Sequence, residues 1–365
     1  MMSPYADSGP IMRRAIATLI SGLLIFSAIA LTLSSARPPT APATPAVAPI
    51  IGAHYYPWYE RERWANQPAS DTPKLGRYTS ADRAVVAEHI RWAKRADLDF
   101  FMLSCLASDG PEANTLREAV LPELDLAQFP FALHYETPIA LGLRPEKTID
   151  FAANLPDRIA AGDLFVQQFD YLTEMYFHRG NYLRIDGKAV VMLYLVRNFE
   201  NAGPYLKIVR ERAAARGVDL YLIADAMYWE KPGELDWPFL REHFQAVTGY
   251  NLYERDDYLA GVERQYSATN RAARARGLRM IPHAMPGYDD TKLRGAGRTK
   301  FDRRDGGFYR DYWKIAAKFV VPDQRLLLIT TFNEWHEGTE LEPSVEYGDL
   351  YLRLTRELAG ELRKK

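Results

Sequence analysis

Eight short, nearly uninterrupted apolar runs mark the chain between Ile50 and Trp335: IIGAHYYPW, LDFFMLSC, FPFALHYE, KAVVMLYLV, DLYLIADAM, QAVTGYN, LRMIPHAM and RLLLITTFNEW. Runs of this length, bounded by turn residues, fit strands covered on both faces. Between them lie segments with apolar positions at helical spacing, such as ADRAVVAEHIRWAKRA, DLFVQQFDYLTEMYFHR, PYLKIVRERAAARG and FYRDYWKIAAKFV; DLYLRLTRELAGELRKK closes the chain. Strand and helix in alternation, eight times over, predict an α/β fold, a (β/α)8 TIM barrel in one domain over residues 50–365. No internal repeat and no second domain stand out.

The segment ahead of the barrel has a different character. Arg13 and Arg14 precede a stretch without charge from Ala15 to Ala36. About 20 apolar residues can span a bilayer, and the small residues Ser34 to Ala36 suit a cleavage site. Residues 1–36 are therefore expected to be a signal peptide or a membrane anchor. Both outcomes place the barrel in the periplasm or outside the cell, with residues 15–36 as its tether if uncleaved. RPPTAPATPAVAPI then reads as an extended Pro/Ala-rich linker, residues 37–49.

Composition narrows the partners. The 46 lysines and arginines nearly cancel the 47 aspartates and glutamates, which leaves no global field for nucleic acid. A single cysteine, Cys105, rules out an intrachain disulfide or a Cys-rich metal site, and its apolar surroundings predict a buried hydrophobe. With 22 Tyr, 16 Phe and 7 Trp the chain has ample aromatic surface for sugar faces, although most of it belongs in the core.

In such a barrel the chemistry sits at the C-terminal strand ends. Those ends carry His54, Tyr55, Tyr56, Trp58 and Tyr59; His134, Tyr135 and Glu136; Asp225, Tyr228 and Trp229; Tyr250 and Asn251; and His283, Tyr288 and Asp289. The last run leads into TTFNEWHEGTELEPS, with Asn333, Glu334, Trp335, His336 and Glu337 close together. Two neighbouring carboxyls are what glycosidic cleavage needs, one to protonate the leaving oxygen and one to activate a nucleophile. They also push each other's pKa values apart, so an acid and a base can coexist. Glu334 and Glu337 are the candidate pair, with Trp335 and His336 placed to wall the site. Glu340 and Glu342 are expected further out, in salt bridges or solvent.

HEGTE lacks the second histidine of a zinc-protease helix, and neither a Gly-x-Ser-x-Gly elbow nor a Gly-rich phosphate loop occurs. No metal and no cofactor is expected. The basic stretch KLRGAGRTKFDRRDGG, residues 292–307, reads as a solvated loop whose Arg294, Arg298, Arg303 and Arg304 are the side chains able to meet a polyhydroxylated or anionic ligand.

YYPWY at Tyr55–Tyr59, HYE at His134–Glu136, PGYDD at Pro286–Asp290 and FNEWHEGTELEPS together resemble, in order, the motifs of glycoside hydrolase family 99, the endo-α-1,2-mannosidases and endomannanases. The WbsX-like polysaccharide proteins share a similar final stretch but generally lack the histidine. The resemblance implies a metal-free retaining endo-glycosidase on α-mannosides, a monomer acting through a 1,2-anhydro sugar. By motif, Glu334 would draw the proton from the sugar 2-hydroxyl. Glu337 would protonate the leaving oxygen and then deprotonate water. Tyr55, Tyr56, His134, Glu136, Tyr250, Tyr288, Asn333, Trp335 and His336 would form the substrate site. HYETP where HIEPY is more typical leaves the outer sugars open. Two other classes stay in play: a glycan-binding barrel without turnover, and a transglycosylating enzyme of polysaccharide assembly.

Overall fold

All eight expected strands form. They are β1 (Ile50–Tyr55), β2 (Phe100–Cys105), β3 (Phe131–Tyr135), β4 (Lys188–Leu193), β5 (Leu220–Asp225), β6 (Ala246–Thr248), β7 in two pieces (Arg279–Met280 and His283–Ala284) and β8 (Leu326–Ile329). The computed structural model describes residues 48–364, apart from 107–109, 157–158, 228–233, 251–257, 297–299 and 323–324. The chain divides into two units, Met1–Pro45 and Ala46–Lys365, and the described residues belong to the second. Residues 1–36, the linker as far as residue 47, Tyr228, Trp229, Asn251 and Arg298 lie outside them. Among the described residues no helix is long and apolar enough to cross a membrane.

The eight strands pair in parallel in chain order, and the ring closes. Its seam joins β8 to β1, with Ile50 opposite Leu326 and Ala53 opposite Ile329. The first piece of β7 pairs with β6 and the second with β8. Pro282, which has no N–H to give, sits at the break, yet its carbonyl still accepts from Leu328 at 3.1 Å. Runs such as AVVML and LLLI are buried at every position because side chains meet cover on both faces.

Among the described residues the main helices around the ring are α1 (Arg83–Arg95), α2 (Pro111–Thr115, continued by Leu116–Val120 and Leu121–Ala127), α3 (Ala161–Leu172, continued by Thr173–Phe177), α4 (Gly203–Ala215), α5 (Trp237–His243), α6 (Tyr258–Arg274), α7 (Gly307–Ala317) and α8 (Leu350–Leu362). In α1 the buried Val86, His89, Ile90 and Ala93 form one stripe, and Asp82 caps the start by accepting from the Ala84 amide at 2.8 Å. Past the end of α4, Gly217 at φ 78° supplies the left-handed residue that turns the chain into β5.

Strand alternation creates two cores. Ile51, Ala53 and Tyr55, like Phe101, Leu103, Leu133 and Leu193, face the helices. Phe100, Met102, Ala132, Val190, Met192, Tyr221, Ile223, Ala246 and Leu328 fill the barrel. Toward the C-terminal ends the inward positions turn polar: His54, Ser104, His134, Asp225, Thr248, His283 and Thr330, all buried. That change of chemistry along the barrel axis builds the floor of a site.

Close packing at the lower end is tight enough to test. A Cβ on Gly52 would lie 2.2 Å from Cζ of Phe100, its partner across β1 and β2. Gly52→Ala should lower stability by about 1–3 kcal/mol or more in urea unfolding, and adding Phe100→Leu should recover most of the loss. Equal loss in single and double variants would show that the ring is not the obstacle.

Candidate active site

The barrel opens at its C-terminal mouth into a cleft of about 320 Å³. Seven of the expected residues line it: Tyr56, His134, Glu136, Tyr250, Glu334, His336 and Glu337. Trp58, Arg63, Gln67, Ile139, Glu146, Tyr194 and Arg294 complete most of the wall.

The floor is a cluster of rings. His54 lies 4.9 Å from His134, 4.9 Å from Tyr250 and 5.3 Å from His283, centroid to centroid. All three histidines are buried, so desolvation disfavours the imidazolium. It takes His134 and His283 down to about 3 and His54 well below its usual value. They are neutral polar rings at any ordinary pH. His283 Nδ1 sits 2.9 Å from the Thr330 hydroxyl, which donates to the Tyr250 carbonyl at 2.9 Å. Among the described residues no group of three or more histidine, cysteine, aspartate or glutamate side chains is arranged to hold a metal ion.

Besides the exposed Glu146, three carboxyls face the cleft. Glu334 is buried; desolvation and then the nearby Glu337 push its carboxyl well above the usual range, against the field of Arg63. Its Oε1 accepts from the His336 amide at 3.2 Å. Glu337 is more open, and Arg294 Nη1 lies 3.2 Å from its Oε1. Glu136 accepts from the Ser104 hydroxyl at 2.9 Å, and burial raises it to about 8. Over the floor, the Tyr56 hydroxyl donates to Tyr250 at 2.5 Å.

The loop carrying Glu334 and Glu337 has no regular secondary structure of its own and is held by its neighbours. Asn333 Oδ1 accepts from the Tyr56 amide at 2.7 Å while its Nδ2 donates to the Tyr56 carbonyl at 3.0 Å. The Tyr59 hydroxyl donates to the Asn333 carbonyl at 2.8 Å and accepts from the Trp335 amide at 3.0 Å. Glu342 accepts from the Tyr78 hydroxyl at 2.8 Å and the Trp335 indole at 2.9 Å, and lies 3.1 Å from His89 Nε2. Arg303 pairs with Glu340 at 2.6 Å and donates to the carbonyls of Gly338 and Glu340, each at 3.0 Å.

Four expected substrate residues are therefore not in the cleft wall. Tyr55 points outward, 0% exposed, its hydroxyl 3.1 Å from His89, because strand parity puts it on the face opposite His54 and Tyr56. Asn333 and Trp335 are spent on holding the loop. Tyr288 donates to Asp290 at 2.8 Å and lines a separate small pocket behind the loop. Glu340 and Glu342, expected further out in salt bridges or solvent, are not solvated: each is 2% exposed, and Glu340 makes its salt bridge with Arg303 under the folded-back loop. The basic stretch is more structured than a solvated loop. Thr291–Arg294 is helical, Lys300–Phe301 pairs with Tyr288–Asp289, and Arg303 is buried. Among the described residues Arg294 and Arg304 fit the expectation: both are exposed, Arg294 lines the cleft, and Arg304 pairs with Asp311 at 3.0 Å.

Several cleft residues escaped the sequence reading. Tyr194 follows β4 directly, and inward parity with Val190 and Met192 would have found it. Arg63 and Gln67 belong to the short helix Arg61–Asn66 and its end, where nothing local distinguishes them from surface residues.

Comparison with known proteins places this geometry among relatives. A family model described as glycosyltransferase WbsX matches residues 162–355. The glycoprotein endo-α-1,2-mannosidase-like protein of Homo sapiens is 26% identical over 319 residues, 80% of this chain and 64% of that protein. The glycoprotein endo-α-1,2-mannosidase of Rattus norvegicus is 23% identical over 316 residues, again 80% and 64%. The chain thus spans somewhat less than two thirds of these relatives. A solved glycoside hydrolase family 99 endo-α-mannosidase from Bacteroides thetaiotaomicron superposes with a TM-score of 0.69 at 22% identity, covering 86% of this chain and 97% of that one. That likeness establishes the fold.

Glu136 offers a test of the site's electrostatics. In the folded protein its carboxyl stays protonated up to about 8, whereas in the unfolded chain it ionises near the ordinary glutamate value of 4.5. The folded state therefore holds the extra proton between those values. The stability contributed is complete below the lower value and is lost as pH rises toward the upper one, by at most about 1.4 kcal/mol per pH unit. Glu136→Gln should match the parent in thermal unfolding at pH 4–5 and exceed it at pH 8. A pH-independent difference between the two would contradict the buried neutral carboxyl.

Proposed function

The chain belongs to the glycosyltransferase WbsX family, and from that premise we propose that it is an endo-acting glycoside hydrolase cleaving internal α-mannosidic bonds with retention. The observation that carries the reading is one loop presenting Glu334 and Glu337 to one cleft at the barrel mouth. The mannosidase names of the relatives favour hydrolysis over the transfer that the family's description implies. The absence of a Gly-rich phosphate loop from the sequence points the same way.

In the mechanism we propose, the Glu334 carboxylate takes the proton of the sugar 2-hydroxyl and O2 attacks C1. The C1–O bond to the leaving sugar breaks, and Glu337 protonates that oxygen, leaving a 1,2-anhydro sugar. Glu337 then takes a proton from water, the water oxygen opens the three-membered ring at C1, and Glu334 returns its proton to O2. Two inversions at C1 give net retention. A base facing a weakly acidic hydroxyl gains from a raised pKa, because proton affinity is what it needs in the transition state. The cost is occupancy, since less of Glu334 is ionised at low pH. The Arg294–Glu337 ion pair has to loosen before Glu337 can carry an acid's proton, and Asp290, 2.7 Å from Arg294, is there to keep the guanidinium paired when it does. Trp58, tilted against Tyr56 with centroids 4.3 Å apart, adds aromatic surface to the cleft wall. We also read the N-terminal segment as an export signal or tether, which would bring the barrel to glycans outside the cytoplasm.

The test uses the full chain with α-1,2-linked manno-oligosaccharides and α-mannans, with products read by mass. Internal cleavage is expected, lowered roughly 10²–10⁴-fold in kcat by Glu334→Gln and by Glu337→Gln. The acidic limb of the kcat/KM profile should lie above the ordinary carboxylate range, because activity appears only as pH rises through the raised Glu334 value. Binding of α-mannosides without cleavage, equal in both variants, would favour the glycan-binding barrel. Products lengthened by a sugar acceptor would favour transfer.

A further inference from the structure

Three arginines surround the acidic loop, and two have close carboxylates. Arg294 lies 2.7 Å from Asp290, and Arg303 lies 2.6 Å from Glu340. Arg63 is different. Its guanidinium carbon stands over the ring of Trp58, 4.5 Å from the centroid. Among the described residues its polar contacts are Gln67 Oε1 at 3.5 Å and Glu112 Oε1 at 3.7 Å. Both exceed the roughly 2.7–3.2 Å of an ordinary N–H···O bond. The side chain is only 23% exposed, so much of its hydration has been given up without close replacement. Its field reaches Glu334 across the same cleft, and Gln67 lines the wall beside it.

We propose that Arg63, with Gln67, is a subsite for an anionic substituent, a carboxylate or a phosphate ester, on the sugar chain bound in the cleft. The inference rests on the α-mannoside reading above and adds the charge of the substrate. A planar guanidinium seated over Trp58 can give two parallel N–H···O bonds to such a group. The Gln67 amide, turned by its oxygen toward Arg63, leaves its NH2 as a further donor. Glu112, whose Oε1 stands 3.7 Å from the fork, is the carboxyl that an entering anion would displace.

The experiment compares a neutral α-manno-oligosaccharide with matched ones carrying a single uronic acid or a single phosphate ester. Binding is measured by calorimetry on the full chain at low and high salt, and cleavage is followed on the same compounds. At low salt at least one acidic compound should bind tenfold or more tightly than the neutral one, and which arm responds identifies the group. Arg63→Gln should erase that ratio, weakening the acidic ligand tenfold or more beyond any change it makes to the neutral one, and Arg63→Lys should restore part of it. Equal binding of neutral and acidic ligands by the parent overturns the proposal. So does a ratio that survives Arg63→Gln, or a loss that falls equally on both ligands. Cleavage of neutral mannoside with no acidic preference sinks this inference alone. Acidic preference without any cleavage sinks the hydrolase reading alone.

Discussion

Closure of the barrel between its last strand and its first is the constraint on which the site depends. It sets β8 beside β1 in register, so the loops that leave them emerge side by side. Asn333 then locks the two loops with a reciprocal pair of hydrogen bonds to Tyr56, one in each direction. Behind that pair, Glu342 gathers Tyr78, Trp335 and His89, each from a different stretch of chain. A buried carboxylate is costly unless its oxygens are filled, and a lost partner leaves a penalty of about 1–3 kcal/mol. Filled as it is, Glu342 holds the loop after β8 in one place. The positions of Glu334 and Glu337 follow from groups that never touch the cleft.

The floor obeys a related economy. Polar side chains replace apolar ones in the top layer of the barrel, where a purely hydrophobic layer would pack with less desolvation. Burial keeps the imidazoles of His54, His134 and His283 neutral, and they pack against Tyr250 as rings. A neutral floor matters beneath three carboxyls. An imidazolium there would pull Glu334 and Glu136 back toward the ordinary carboxylate range, whereas neutral rings leave them raised by their own burial.

The architecture was legible because its signal is local. Continuous apolar runs such as AVVML and LLLI announce strands covered on both faces, and even the weakest, QAVTGYN, holds the three-residue β6. Much of the cleft was legible for the same reason, since His134, Glu136 and Tyr250 lie at or just past strand ends. What failed was reading motifs as blocks. In YYPWY, period-two alternation sends Tyr56 to the cleft and Tyr55 to the helices, and counting from Ala53 would have separated them. Other misses are side-chain pairings that no apolar periodicity reports: Arg303 reaches to Glu340 across 37 residues, and within their own stretches Trp335 turns its indole to Glu342 and Arg63 rests on Trp58. Such pairings follow from how the loops fold, not from the strand and helix pattern.

Those pairings explain why so many acids crowd one short stretch. The four glutamates of EWHEGTELE divide by their partners. Glu340 and Glu342 are each bound by groups behind the loop, and their charge is spent on fixing the backbone. Glu334 and Glu337 face the cleft from that fixed backbone; Glu334 keeps one oxygen on the His336 amide, and Glu337 has the exposed Arg294. Rigidity behind and freedom in front are opposite demands, and one loop meets both by alternating them. A loop held only by its own turns would let the carboxyls drift by an ångström or more, and misplacement on that scale can cost about 10²-fold in rate. The inner pair is thus as much a condition of any chemistry here as the outer pair is its agent.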